Sequence, residues 1–192
     1  MDEATKEAAR QKARDYLRTK GTLLSAAALA ERIGEAFTAF ETFLDAAPPA
    51  LVQRRAWDGE WTIQEIADHV LETHRPGLDE LRCLLAGQRP PGEPIPASLQ
   101  SKAPHLRPWP WLLREIKELH AEIVAEIRRA GPDFETDARA PLVMVMNATN
   151  GSGERLILEW VEDLDWKAYA ITWRLHATDH LHQARKVLAA LR

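Results

Sequence analysis

His176 and His180 are the residues of this chain whose types and spacing point most directly to chemistry. They lie in Leu175-His176-Ala177-Thr178-Asp179-His180-Leu181-His182-Gln183, a segment that reads as helix. At about 100° per residue, side chains four apart sit about 40° apart around the axis and one turn along it. Two imidazoles so placed can converge on one cation, and neutral imidazole suits Zn, Ni, Cu or Fe. The spacing fits unrelated surface or core histidines as well. His182 falls about 240° round from His176 and faces elsewhere. The zinc-protease form of the motif is excluded, because it needs Glu directly after the first histidine as general base, and Ala177 stands there. Gln183 shares the face of both histidines and is the candidate catalytic side chain. From there it could hydrogen-bond a ligand, a water or a substrate, or simply close the mouth of a bundle. Tyr169 and Trp173 extend the same stripe as candidate substrate-pocket residues, with core packing as the ordinary alternative.

A third imidazole strengthens the pattern. His69 lies on a second helical segment, on the face of Ile66 and Thr73, and two bundle helices that both aim histidine inward give the geometry that bundle metal sites use. His74 is about 140° from His69 on a helix and is expected to point away. Cys83 lies about 21 Å further along the axis, too far to share the site, and reads as a small buried apolar residue. Three neutral imidazoles around a divalent ion leave positions open to water or substrate, as catalytic sites do; an acidified water or a thiolate could fill one. Their second ring nitrogens need acceptors. Asp68, Glu72 and Asp179 are close in sequence, but neighbours on a helix point in different directions.

Stepping outward, the elements that must position these residues are helical. Residues 4–20 form a charged peripheral helix ending near Gly21. Leu29, Ile33, Phe37, Phe40 and Leu44 make an amphipathic stripe over about 22–46. Thr62-Ile63-Gln64-Glu65 fits a capping box that opens a helix to about Ala86, with a kink or break expected at His74-Arg75 before Pro76. Seven of the twelve prolines fall within 89–110, an extended connector that is either a lid, with Trp109 and Trp111 as lid candidates, or a covering strap. Leu112, Ile116, Leu119, Ile123 and Ile127 define a helix over about 111–130. Residues 141–146 and 155–160 pair as a short hairpin around 147–154, unless Arg155 already begins a helix. The last helix spans about 163–190. Trp57 and Trp61 anchor the start of the 62–86 helix. The fold class is therefore all-α, a four-helix bundle whose two long connections fit up-down-down-up connectivity as well as a simple up-and-down order.

Two motifs resemble a known superfamily. Trp61-Thr62-Ile63-Gln64-Glu65-Ile66-Ala67-Asp68-His69-Val70-Leu71-Glu72-Thr73-His74 is similar to the helix-2 signature of the DinB/YfiT-like proteins: a tryptophan, a Ser/Thr cap, then a histidine seven or eight residues on. His176 to Gln183 is similar to their final-helix motif. The resemblance implies an up-down-down-up bundle over 22–192 after a helical extension at 1–21. It also implies a divalent transition metal (Zn, Ni or Fe) on His69, His176 and His180, and often a homodimer. The activity implied is small-molecule thiol transfer, with a low-molecular-weight thiol as co-substrate, or hydrolysis. The rival reading is a non-catalytic dimeric scaffold or stress-response protein with a structural or vestigial metal site.

Composition removes other classes. The chain has 192 residues, 45% hydrophobic and 28% charged, with 25 Lys+Arg against 29 Asp+Glu and a net charge of −4. A nucleic-acid partner is not expected from a negative chain without a basic stripe. One cysteine excludes an internal disulfide and a multi-cysteine zinc site, and suggests a reducing compartment. The charged N-terminus lacks a secretory apolar region, and no stretch approaches the ~18 apolar residues of a membrane span, so a cytoplasmic protein is expected. Asn150-Gly151-Ser152-Gly153 lacks the spacing and lysine of a phosphate loop.

Overall fold

The computed structural model describes residues 3–132, 134–149 and 155–192. Among them, helices α1 (Glu3–Leu17), α2 (Ala26–Ala46), α3 (Ile63–Leu85), α4 (Trp109–Arg129) and α5 (Trp166–Ala190) accompany strands β1 (Ala140–Thr149) and β2 (Arg155–Leu164). None of these helices is long and apolar enough to cross a membrane.

Local chemistry sets the boundaries. Ser25 caps α2 by accepting from the Ala28 N–H at 3.2 Å, so the helix begins four residues later than its stripe implies. The residues before it make a wide helical turn, Arg18–Thr22, in which Gly21 lies against α5. A Cβ on Gly21 would stand 2.8 Å from Ile171 Cγ2 and 2.9 Å from the Lys167 carbonyl, so the approach requires glycine. The capping box of α3 is complete: the Glu65 N–H donates to Thr62 Oγ1 at 3.1 Å, and the Thr62 N–H donates to Glu65 Oε2 at 2.7 Å. The expected break at His74-Arg75 does not occur. α3 runs through Pro76, which forfeits one helical hydrogen bond while packing on both sides keeps the rod continuous. Gly87, at φ +73°, turns the chain out of the helix. Pro110 sits in the first turn of α4, where a missing N–H is harmless. Trp109 and Trp111 therefore belong to a helix, not to a lid.

Side-chain pairings between helices give their directions. Glu41 and Asp45 of α2 meet His120 and Lys117 of α4, so these two run antiparallel. Arg75 and Arg82 of α3 meet Glu115 and Glu126 of α4 in ascending order, hence parallel. His69 and Glu80 of α3 meet His176 and Tyr169 of α5, hence antiparallel. The four helices pack in the cyclic order α2, α4, α3, α5, and their directions are up, down, down, up. Two successive parallel helices demand a return path of about 34 Å for the 23 residues of α3, and the proline-rich connector supplies it.

The hairpin is longer than its sequence signal, paired antiparallel from Ala140↔Leu164 to Thr149↔Arg155. Its second strand consumes residues assigned by periodicity to the last helix. Asp165 then caps α5, accepting from the Lys167 and Ala168 N–H groups at 3.0 and 2.9 Å. Leu142, Met144, Leu158 and Leu164 face the core, while Val145, Ile157 and Val161 share the exposed face. Residues 150–154, within the expected turn and containing the whole Asn150–Gly153 run, lie outside the described residues. α1 is tied to the hairpin by Arg14–Glu162 at 3.0 Å and to α5 by Arg174 donating to the Tyr16 hydroxyl at 2.7 Å.

Candidate metal centre

Asp68 and Gln64, both fully buried on α3, determine what the connector does. Asp68 accepts from the Ser101 N–H and the Ser101 hydroxyl, each at 2.8 Å, and pairs with Arg107 at 2.9 Å. Gln64 donates to the carbonyls of Pro104 and Arg107 at 2.8 and 2.9 Å. Gln100 donates to the Glu65 carbonyl at 3.1 Å. The connector is thus a strap lashed along the first turns of α3. Lashing it there brings the Leu99 carbonyl 2.8 Å from His69 Nδ1. Arg107 also pairs with Glu72 at 2.8 Å and lies 5.3 Å from the Trp111 ring centroid, which ties the strap to α4. Asp68, close in sequence to His69 as a candidate acceptor for a ligand nitrogen, acts instead on the backbone that supplies that acceptor.

The structure brings His69, His176 and His180 together. Their ligating atoms all lie within 4.8 Å of one another. His176 Nε2 stands 3.0 Å from His69 Nε2 and 3.1 Å from His180 Nε2. Bonds of ~2.0–2.1 Å in a tetrahedral array separate ligand nitrogens by ~3.3 Å, so these separations match within a few tenths. His69 is buried, and His176 and His180 keep partial exposure. The Trp61 ring lies 4.8 Å from the His69 ring and stacks at 6.1 Å with that of His180. Trp61 was expected only to anchor a helix start; it also walls the cluster.

Each imidazole has a partner behind it. His69 Nδ1–H donates to the Leu99 carbonyl, which can only accept. His180 Nδ1–H donates to Gln183 Oε1 at 2.9 Å. His176 Nδ1 lies 3.0 Å from His74 Nε2. His74, expected to point away, is buried and packed against the site. The helical-wheel estimate assumed one buried face, whereas α3 is covered by α4, α5 and the strap, so 140° of rotation still ends in the interior. Behind His74, its Nδ1 lies 3.2 Å from His120 Nε2, and His120 Nδ1 donates to Glu41 Oε1 at 2.7 Å. Sequence reasoning passed over His120 and Glu41. A signal was present: Ile116, His120, Ile123 and Phe37, Glu41, Leu44 each place a polar residue at i+4 of an i, i+4, i+7 core pattern.

This donor set fits a divalent ion. With every Nδ1 within hydrogen-bonding distance of a partner, the three Nε2 atoms face one another, and in the tautomer that leaves all three bare a cation at their centre converts lone-pair repulsion into attraction. Burial pushes all five clustered histidines toward the neutral, ligating form. His180 is lowered to about 4 by burial and by the neighbouring His69. His74 and His176 are held well below the ordinary value by burial and by the other imidazoles. His69 and His120 are lowered by burial against the opposing pull of Leu99 and Glu41 respectively.

The remaining candidates fall elsewhere. Tyr169 is buried and donates to Glu80 at 2.6 Å, and burial raises the Glu80 carboxyl. Trp173 packs edge-on against Tyr169 and His74, and both aromatics abut Gly77, where a Cβ would approach within 3.2–3.4 Å. They fill the α3–α5 interface below the cluster. Asp179 is exposed. Cys83 is free and only partly buried, unlike its reading as a core residue.

A consequence for pH follows from the depressed histidines. Unfolded imidazole takes up a proton near pH 6.5, while folded His180 resists until about 4. As pH falls between these values the unfolded chain binds more protons, so stability present at neutral pH is lost on acidification. His180 alone accounts for about 3 kcal/mol at full expression. Metal-free protein should show a urea midpoint well below its pH 7 value by pH 5; a flat profile would contradict the buried neutral cluster.

The up, down, down, up order of the bundle is a DinB/YfiT-like fold. No family model matches the chain and no curated protein does. Among solved structures, the chain is similar to YfiT from Bacillus subtilis, with a TM-score of 0.57, 15% identity and 85% of each chain covered. That protein is described as "a probable metal-dependent hydrolase with an unusual four-helix bundle topology". At 15% identity the likeness is one of fold.

Proposed function

We propose that this protein is a metal-dependent enzyme acting on small molecules, with His69, His176 and His180 as ligands of a divalent transition ion (Zn, Ni or Fe) and hydrolysis as its reaction class. The observation that carries the reading is the convergence of three Nε2 atoms on rings whose Nδ1 atoms all have partners. A divalent ion bound there supplies Lewis acidity at positions the three imidazoles leave open. The chain's own residues orient the ligands: the Leu99 carbonyl holds His69, His74 backs His176, and Gln183 holds His180. Gln183 is in this reading a positioning residue, not one that touches reacting atoms. Trp61 shields one flank and offers an aromatic wall to substrate. The hydrolase description of YfiT supports hydrolysis over thiol transfer. The exposed Val145, Ile157 and Val161 face supports association with a second copy as a homodimer.

The test is a panel of ester, amide and lactone substrates, with and without low-molecular-weight thiols, run on zinc-, nickel- and iron-loaded protein and on the His180→Ala variant. Metal-dependent turnover without thiol, lost in the variant, is expected. Turnover only with thiol would transfer the assignment to S-transfer. Loaded protein inert throughout the panel would favour a non-catalytic scaffold.

A further inference from the structure

The hydrogen-bond line His176–His74–His120–Glu41 crosses the whole bundle, from α5 through α3 and α4 to α2. Its separations are 3.0, 3.2 and 2.7 Å. His74 and His120 are 1% and 2% exposed, so water cannot replace a missing partner. Phe37 stacks on His120 at 3.6 Å and 7° between planes, and packs at 5.6 Å from His74, which locks both rings against flipping. A line of neutral imidazoles has two possible polarities, each with one proton per ring. In one, every ring carries its proton on Nδ1; in the other, on Nε2. The first leaves His176 Nε2 bare; the second puts a proton on it, aimed at His69 and His180.

We propose that Glu41 is the polarity anchor of this line: an acceptor-only carboxylate at the far end dictates Nδ1–H on His120, His74 and His176 in turn, and so keeps His176 Nε2 available as a ligand. Glu41 touches neither substrate nor metal position and acts wholly through the intervening rings. It is a positioning residue on α2, the helix that also supplies Phe37 against the same rings. Its carboxylate is 22% exposed, so its charge stays in contact with solvent while the rings it orients do not. This proposal rests on the three-histidine reading for its consequence, but its proton placement stands on the metal-free protein alone.

Glu41→Gln is the informative substitution, because it preserves shape while adding a donor. A glutamine can accept from His120 Nδ1–H through its Oε1 or donate to a bare Nδ1 through its Nε2. In metal-free protein the second is favoured, because every proton in the line then moves to Nε2, none is gained or lost, and His176 Nε2–H donates to a bare Nε2 of His69 or His180, 3.0 and 3.1 Å away. Two measurements are made on untagged, full-length protein. Ring-nitrogen NMR of the 15N-histidine-labelled metal-free protein reads the tautomers, and chelator competition reads zinc affinity. Wild type is expected to show Nδ1–H at His74, His120 and His176. Glu41→Gln is expected to show Nε2–H at all three and zinc affinity lower by about 10–100-fold. Glu41→Asp, which still can only accept, should keep the wild-type tautomers. An Nε2–H at any of the three rings in wild type would overturn the proposal without recourse to a variant. Wild-type tautomers in Glu41→Gln would overturn it too, even with weakened zinc binding, as would flipped tautomers with unchanged affinity. Failure of wild type to bind zinc would sink the metal reading while the tautomer result still decided the polarity of the line.

Discussion

Replacing Asp68 with alanine is expected to cost metal-free protein about 3 kcal/mol of stability and to weaken metal binding about tenfold. Asp68 is 0% exposed and accepts from the Ser101 N–H, the Ser101 hydroxyl and Arg107. Hydrogen bonds to a charged group contribute about 1.5–3 kcal/mol each, and an unsatisfied buried partner costs more than the bond was worth. Arg107 keeps Glu72 as a second partner, which limits the loss below the sum. The metal effect arises because Ser101 follows Leu99 by two residues. Freeing it loosens the carbonyl that fixes the His69 tautomer. Urea unfolding and zinc competition on Asp68→Ala and Asp68→Asn check both effects. A change under 1 kcal/mol would mean that the strap is held by its other contacts.

His176→Ala should have the larger functional effect. It removes the middle ligand, the one within 3.1 Å of both others, and strands His74 Nε2 in the core. If three imidazoles share the ~10–16 kcal/mol typical of a structural zinc site, losing one lowers affinity on the order of a thousandfold. The variant should also be less sensitive to acid than wild type, since it lacks a histidine held well below its ordinary value. His182→Ala is the control on the same helix: exposed, it should leave both properties unchanged. Equal loss in the two variants would indicate disruption of α5 rather than removal of a ligand.

Much of this arrangement was legible in the residues because it depends on periods and caps. The i, i+4 spacing of His176 and His180, the Thr62–Glu65 box and the Leu29 to Leu44 stripe are local, and each appears where expected. The conformation of the strap was not legible, because proline density marks an extended chain without saying which helix it follows. That choice depends on buried polar side chains such as Gln64 and Asp68, whose partners on the strap lie 33 to 43 residues away. His74 was misplaced for a related reason: a helical wheel has one inside, whereas α3 is enclosed on several sides. The continuity of α3 through Pro76 is likewise tertiary, since packing on both flanks outweighs one lost backbone bond.

The most direct measurement is zinc K-edge X-ray absorption on untagged protein loaded with one equivalent of zinc. Three imidazole nitrogens at ~2.0–2.1 Å, with oxygen completing the coordination, is the expected result. One or two imidazoles, or a sulfur at ~2.3 Å contributed by Cys83, would contradict a centre built from His69, His176 and His180.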